Sequence, residues 1–204
     1  MKAAQRAFWL RQFYQWHWIS AALCLIGMLA YAVTGITLNH AADIAVKPEV
    51  TTLEHALPEA LLAKIDVVEG PAMRPLPTEI QGWLAREMAV QVGVREAEWT
   101  DSDIYMSIPG PGGDAWLSID LNDGRVEYEE TFRGWMSYFN DLHKGRDTGR
   151  AWGWFIDIFA AGCVVFCVTG LVLLQFHAKR RPSTWPVVGL GFVAPVLLII
   201  LFMH

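Results

Sequence analysis

The sequence predicts an α-helical membrane protein with three transmembrane helices and a small α+β insertion between the first two. Three observations lead there. The stretch from Trp16 to His40, WHWISAALCLIGMLAYAVTGITLNH, has a histidine at each end and no charge between. A second apolar run, WGWFIDIFAAGCVVFCVTGLVLLQF, leads into His177 and contains Asp157 as its one charge. The acidic residues are confined to the section between Asp43 and Asp157, so a chain that is 53% hydrophobic carries its polarity in one block.

Residues 1–16 are polar and aromatic, with Lys2, Arg6 and Arg11 as their only charges. The apolar run that follows is too long for a signal peptide and lacks a clear small-x-small cleavage site, so the leader is expected to stay attached with a cytoplasmic N-terminus. From Trp18 to Asn39 a helix would extend roughly 33 Å, enough to cross the hydrocarbon of a bilayer. Residues 1–40 thus form the leader and first span.

Residues 41–140 read as the soluble insertion. Leu57, Leu61, Leu62 and Ile65 recur at helical spacing, and Thr78-x-x-Gln81 has the pattern of a capping box opening a second helix with Ile80, Trp83 and Leu84 inward. Alternation at Val90, Val92 and Val94, at Ile104, Met106 and Ile108, at Ala115, Leu117 and Ile119, and at Val126 and Tyr128 predicts strands. The loop Gly110–Gly113 and the turn Asn122-Asp123-Gly124 join the last three into an antiparallel meander.

Residues 141–181 carry the second span, closed by the basic stop Lys179, Arg180 and Arg181, which belongs in the cytoplasm. Lys144, Arg146 and Arg150 flank its external end, but Asp141 and Asp147 accompany them. Residues 182–204 supply a third span, Trp185 to Met203, about 28 Å long as a helix.

The two long spans carry a weak internal repeat. Val33-Thr34-Gly35-Ile36 and Val168-Thr169-Gly170-Leu171 each sit late in a span and precede a histidine, His40 or His177; Trp16-His17 and Leu142-His143 precede the spans. Because consecutive spans run in opposite directions, the repeat is inverted. It places His40 near His143 on the outer side and His17 near His177 on the inner side. Two facing neutral imidazoles are what a non-covalent haem b requires as axial ligands, although a single histidine at a membrane interface commonly just solvates its polar end. Gly145, Gly149 and Gly153 recur every four residues after His143 and would leave one helix face bare for a porphyrin or a second backbone.

Asp157 is a carboxylate within a span, which is costly and normally faces a partner or water. It is a candidate for steering a proton, holding a cation or pairing with Arg150. Cys24, Cys163 and Cys167 all lie in spans and read as small apolar packing, and no C-x-x-C-H occurs for covalent haem. Trp9, Trp16, Trp18, Trp152, Trp154 and Trp185 read first as an aromatic belt. The basic runs are too small for nucleic acid, and no G-x-G-x-x-G follows a strand. His17 and His40 lie about 140° apart around an ideal helix and about 34 Å apart along it. They look towards different neighbours, and this together with so few spans favours a homodimer.

Trp16-His17-Trp18, Thr34-Gly35-Ile36-Thr37-Leu38-Asn39-His40, Asp141-Leu142-His143-Lys144-Gly145-Arg146 and Val168-Thr169-Gly170-Leu171 resemble the PepSY-associated transmembrane helix family, particularly its short members. The middle section looks like a degenerate PepSY module. The resemblance implies a bacterial inner-membrane location with a periplasmic middle domain, and one or two haem b groups per chain on His17, His40, His143 and His177. It also implies reduction of ferric iron or a ferric siderophore, with an electron donor that no motif identifies. The competing expectation is a non-catalytic anchor whose PepSY-like domain binds a partner or restrains a peptidase. This chain has fewer spans and a smaller periplasmic part than longer members of the family.

Overall fold

A computed structural model describes residues 3–65 and 70–203; Lys2 of the basic leader and His204 lie outside the described residues. Among the described residues three helices are long and apolar enough to cross a membrane: α1 (Ala3–Asn39), α5 (Gly149–His177) and α6 (Thr184–Phe202). Between α1 and α5 come β1 (Glu49–Ala56), α2 (Glu59–Leu62), β2 (Ala72–Pro75), α3 (Thr78–Glu87), β3 (Glu96–Trp99), β4 (Asp103–Gly110), β5 (Gly113–Asp120), β6 (Arg125–Phe132) and α4 (Gly134–Lys144). The chain divides into two compact units, one running up to Ala30 and resuming at Trp154, the other Tyr31–Gly153.

In the second unit six antiparallel strands form one sheet in the order β1-β6-β5-β4-β3-β2. The meander expected over the last three strands is present, with Met106 opposite Leu117 and Leu117 opposite Tyr128. Ile104, Met106, Leu117, Ile119 and Val126 point to one face, where Ile80, Trp83 and Leu84 of α3 cover them. Each such side chain taken from water contributes about 1.5–3 kcal/mol. Trp99 closes one end of this core: its indole N–H donates to Arg74 O at 3.0 Å, and the Arg74 guanidinium lies 3.7 Å over its ring. Asp120 ends β5; its carboxylate accepts from the Asn122 backbone and side chain at 2.8 and 3.0 Å, which holds it below the usual carboxylate range.

Several local expectations are corrected. Val90, Val92 and Val94 form no strand, because Ala89 and Gly93 both take positive φ, 57° and 58°, which breaks an extended run at each end. Val90 and Val92 are buried all the same. Thr78 does not cap α3: Pro77 stands at the cap, and Gln81 Nε2 donates past it to Leu76 O at 2.7 Å. The glycine stripe also fails. Gly145, at φ 68°, ends α4 with the paired bonds Gly145 N–H to Leu142 O at 3.2 Å and Arg146 N–H to Asp141 O at 2.9 Å, a Schellman stop. Gly149, at φ 78°, opens a new helix, so only Gly153 lies within one. The boundary drawn at residue 140 therefore falls inside α4.

In the first unit α1 and α5 approach through glycine. A Cβ at Gly162 would lie 2.8 Å from Cys24 Sγ, and one at Gly27 would lie 2.3 Å from the Phe159 ring. The Trp185 indole N–H of α6 donates to Gln175 Oε1 of α5 at 2.9 Å.

Asp141 is buried, and its Oδ2 accepts the Gly112 N–H of the β4–β5 turn at 2.9 Å. Asp141→Leu would leave that buried donor unpaired and should cost about 1–3 kcal/mol. The denaturant midpoint of the purified protein should fall accordingly, while Asp141→Asn, which still offers an acceptor, should lose less; equal losses would contradict this role.

Candidate functional site

Four buried or half-buried groups on α4 and α1 set the geometry around His143. Asp141 ties α4 to the sheet through Gly112. One residue back, Asn140 Oδ1 accepts the Thr37 hydroxyl of α1 at 2.7 Å. One turn on, His143 Nδ1 lies 2.6 Å from Thr34 Oγ1. Asn140 and His143 are three apart on α4, and Thr34 and Thr37 are three apart on α1, so each pair shares a helix face and the two bonds act as one clasp. The Tyr31 ring lies 4.5 Å from the imidazole, tilted by 39°. A Cβ at Gly35 would come within 3.9 Å of His143 Cε1. The Trp152 indole N–H donates to Leu142 O at 2.8 Å, which fixes the end of α4 against the start of α5.

The same arrangement recurs around His17 in the other unit. His17 Nδ1 lies 3.1 Å from Thr169 Oγ1 and 3.2 Å from Phe166 O. Its ring stacks on Phe166 at 4.7 Å with 13° between planes. A Cβ at Gly170 would stand 3.2 Å from His17 Cε1. Each imidazole thus meets a threonine at Nδ1, an aromatic ring three residues earlier on its face, and a glycine next to the threonine that makes room for Cε1. Neither His17 nor His143 has a hydrogen bond at Nε2 among the described residues.

The other two candidate histidines are held differently. His40 Nδ1 bonds Asp43 Oδ2 at 3.2 Å on an exposed turn. His177 is exposed; its Nδ1 donates to Leu173 O at 2.8 Å, and its Nε2 lies 3.0 Å from the Tyr14 hydroxyl. Where the sequence reading set His40 beside His143 and His17 beside His177, the structure gives each of the four a different polar partner, and no hydrogen bond joins two of them among the described residues. Asp157 lies on an exposed face of α5.

Sequence reasoning noticed the two Val-Thr-Gly pieces but used them only as markers of span ends. The fuller signal is a longer repeat, Gly27-x-x-x-Tyr31-x-Val33-Thr34-Gly35 and Gly162-x-x-x-Phe166-x-Val168-Thr169-Gly170. Its members are the close-packing glycine and the aromatic, threonine and glycine of each imidazole clamp.

The donor set fits a haem better than a bare ion. Among the described residues no group of three or more His, Cys, Asp or Glu side chains could hold an ion. A porphyrin brings its own equatorial nitrogens and asks the protein only for axial ligands. A ligating histidine ordinarily bonds one ring nitrogen to a fixed protein group and offers the other, which is how His17 and His143 are held. A cavity of about 330 Å³ lies between α1 and α5, walled by Trp16, Ser20, Cys24, Phe155, Phe159 and Gly162; His17 is not on its wall.

A family model described as "Putative PepSY_TM-like" matches residues 8–204. No curated protein and no solved structure matches the chain.

The glycines allow a test of the clamp. Gly153 has open space around it, so Gly153→Ala should stabilise α5 by roughly 0.5–1 kcal/mol. Gly170→Ala should lose that gain, because the new methyl would press on an imidazole already stacked on Phe166. Thermal unfolding of both variants in detergent, followed by helical circular dichroism, reads the difference; equal gains would mean the imidazole is not held there.

Proposed function

The chain belongs to the PepSY_TM-like family, and from that premise we propose that it is a b-type haem protein of the bacterial inner membrane. In this reading it carries electrons to ferric iron or a ferric siderophore on the periplasmic side. The observation that carries the reading is the pair of clamped imidazoles, His17 and His143, each bonded through Nδ1 with no hydrogen bond at Nε2 among the described residues. Bound haem would supply one-electron chemistry at its iron.

The chain's own residues do the rest. His17 and His143 would hold the haem iron through Nε2, and the Phe166 and Tyr31 rings restrain each imidazole plane. His40 and His177 are proposed as the further residues that would hold the iron. Asp43 holds His40 at Nδ1, with no hydrogen bond at its Nε2 among the described residues, whereas His177 would have to give up the Tyr14 hydroxyl to ligate. Arg6 and Arg11 lead α1, and the cluster Lys179–Arg181 follows α5, in keeping with a cytoplasmic side for both ends and a periplasmic sheet domain. Asp157 is proposed to hold a proton that accompanies electron transfer. Its exposed place in an apolar span is costly unless something covers it, which supports a homodimer.

The reading as a partner-binding anchor draws on a separate observation. On the sheet face opposite the buried core Tyr105 and Trp116 stack at 6.4 Å, and Glu54 stands opposite Glu127, which pairs with Arg125 at 3.2 Å. Like charges placed directly across a strand pair are unfavourable; Arg125 offsets Glu127, and a cationic partner at Glu54 would add to that.

Absorbance separates the two readings. After expression with ample haem, the purified protein should show a Soret band with a low-spin bis-histidine spectrum, diminished by His17→Ala or His143→Ala and abolished by both. Protein without a Soret band would end the haem reading. Asp157→Asn should keep haem and slow ferric reduction by about tenfold or more, and light scattering of the loaded protein should give twice the 22.9 kDa chain mass. Unimpaired turnover would remove Asp157 from the mechanism, and a monomer mass with full activity would exclude the dimer.

A further inference from the structure

We propose that Thr34 is the positioning residue that holds His143 as its Nδ1–H tautomer, and that Thr169 together with the Phe166 carbonyl does the same for His17. The purpose assigned to the bare Nε2 rests on the haem reading; the tautomer stands on hydrogen-bond accounting alone.

A threonine hydroxyl has a single proton to give. Thr34 directs its hydroxyl to its own helix, donating to Tyr31 O at 3.2 Å. Thr169 does likewise, donating to Val165 O at 2.7 Å with Phe166 O at 3.0 Å. With its proton directed to its own helix, each Oγ1 faces the imidazole as an acceptor, and the proton of that bond is assigned to Nδ1. At His17 a second group agrees: Phe166 O, at 3.2 Å from Nδ1, is a carbonyl and can only accept. A neutral imidazole protonated at Nδ1 has its lone pair at Nε2. Both threonines thereby decide which nitrogen is offered, and a metal ligand with its outer nitrogen so fixed is more basic and better oriented.

The two sites differ in redundancy. His143 has Thr34 as its one Nδ1 acceptor among the described contacts, whereas His17 keeps a carbonyl if Thr169 is lost. Thr34→Val should therefore release the tautomer of His143, and Thr169→Val should leave that of His17 in place.

The test uses the full chain in detergent, free of haem, with ¹⁵N-labelled histidine, at a pH raised until the ring ¹⁵N shifts stop changing. Resonances are assigned by their loss in His17→Asn and His143→Asn. In the wild type both histidines should be protonated at Nδ1. In Thr34→Val the His143 signal should move to a mixture containing the Nε2–H form, Thr34→Ser should restore it, and the unchanged His17 signal in the same sample reports that the fold is intact. An Nε2–H signal at either site in the wild type, or an unmoved His143 signal in Thr34→Val, overturns the proposal. Loss of the His17 form in Thr169→Val overturns the part given to the Phe166 carbonyl.

With haem loaded, Thr34→Val should weaken retention at the His143 site about 10–100-fold and shift its midpoint potential, while Thr34→Ser does neither. A switched tautomer with unchanged retention and potential would deny Thr34 a part in ligation. A missing Soret band would end the haem reading and leave the tautomer result standing, so the two failures are told apart.

Discussion

A threonine in an apolar helix satisfies its hydroxyl on a backbone carbonyl one turn back, because lipid offers no water to take the proton. A hydroxyl whose proton is so engaged offers a lone pair to a neighbour that can donate. Thr34 and Thr169 are both in this state, and both meet a histidine at Nδ1. The residues around them follow from the same need. A glycine follows each threonine and gives the ring space, and an aromatic side chain three residues earlier lies on the ring's face. The repeat in the sequence is thus a repeated means of holding an imidazole by one nitrogen.

The sheet domain is part of that means. Asp141 is fixed through Gly112, whose φ of 75° lets the β4–β5 turn pass close under α4. A Cβ there would lie 2.7 Å from Tyr138 Cα, so the turn and α4 could not approach with any other residue. Asn140, next along, takes the Thr37 hydroxyl, and the Schellman stop at Gly145 ends the helix one residue after Lys144. The Asp-Leu-His-Lys-Gly-Arg piece therefore reads as a mechanical unit in which the carboxylate anchors, the histidine is presented and the glycine turns the chain towards α5. Changes in the sheet domain would be felt at His143 through two hydrogen bonds.

Hydrophobicity alone determined the three spans and the place of the insertion, because an uncharged stretch of that length has few stable homes other than a bilayer. Period-two alternation also determined the meander of β4, β5 and β6, where one strand face is buried against α3. It did not determine β1, whose residues are mostly exposed and carry little pattern, nor β2 and β3, which are four residues each. At Val90–Val94 it misled, since burial without pairing leaves the same alternation as a strand. The four histidines were legible as candidates from their places at span ends, but their partners were not. His143 sits on a helix separate from α5, because two positive-φ glycines break the run between them. Only the tertiary structure could put Thr34 against His143 and Thr169 against His17. A hydrogen bond between residues more than a hundred positions apart is set by how helices pack, and packing is not written in the spacing of either segment alone.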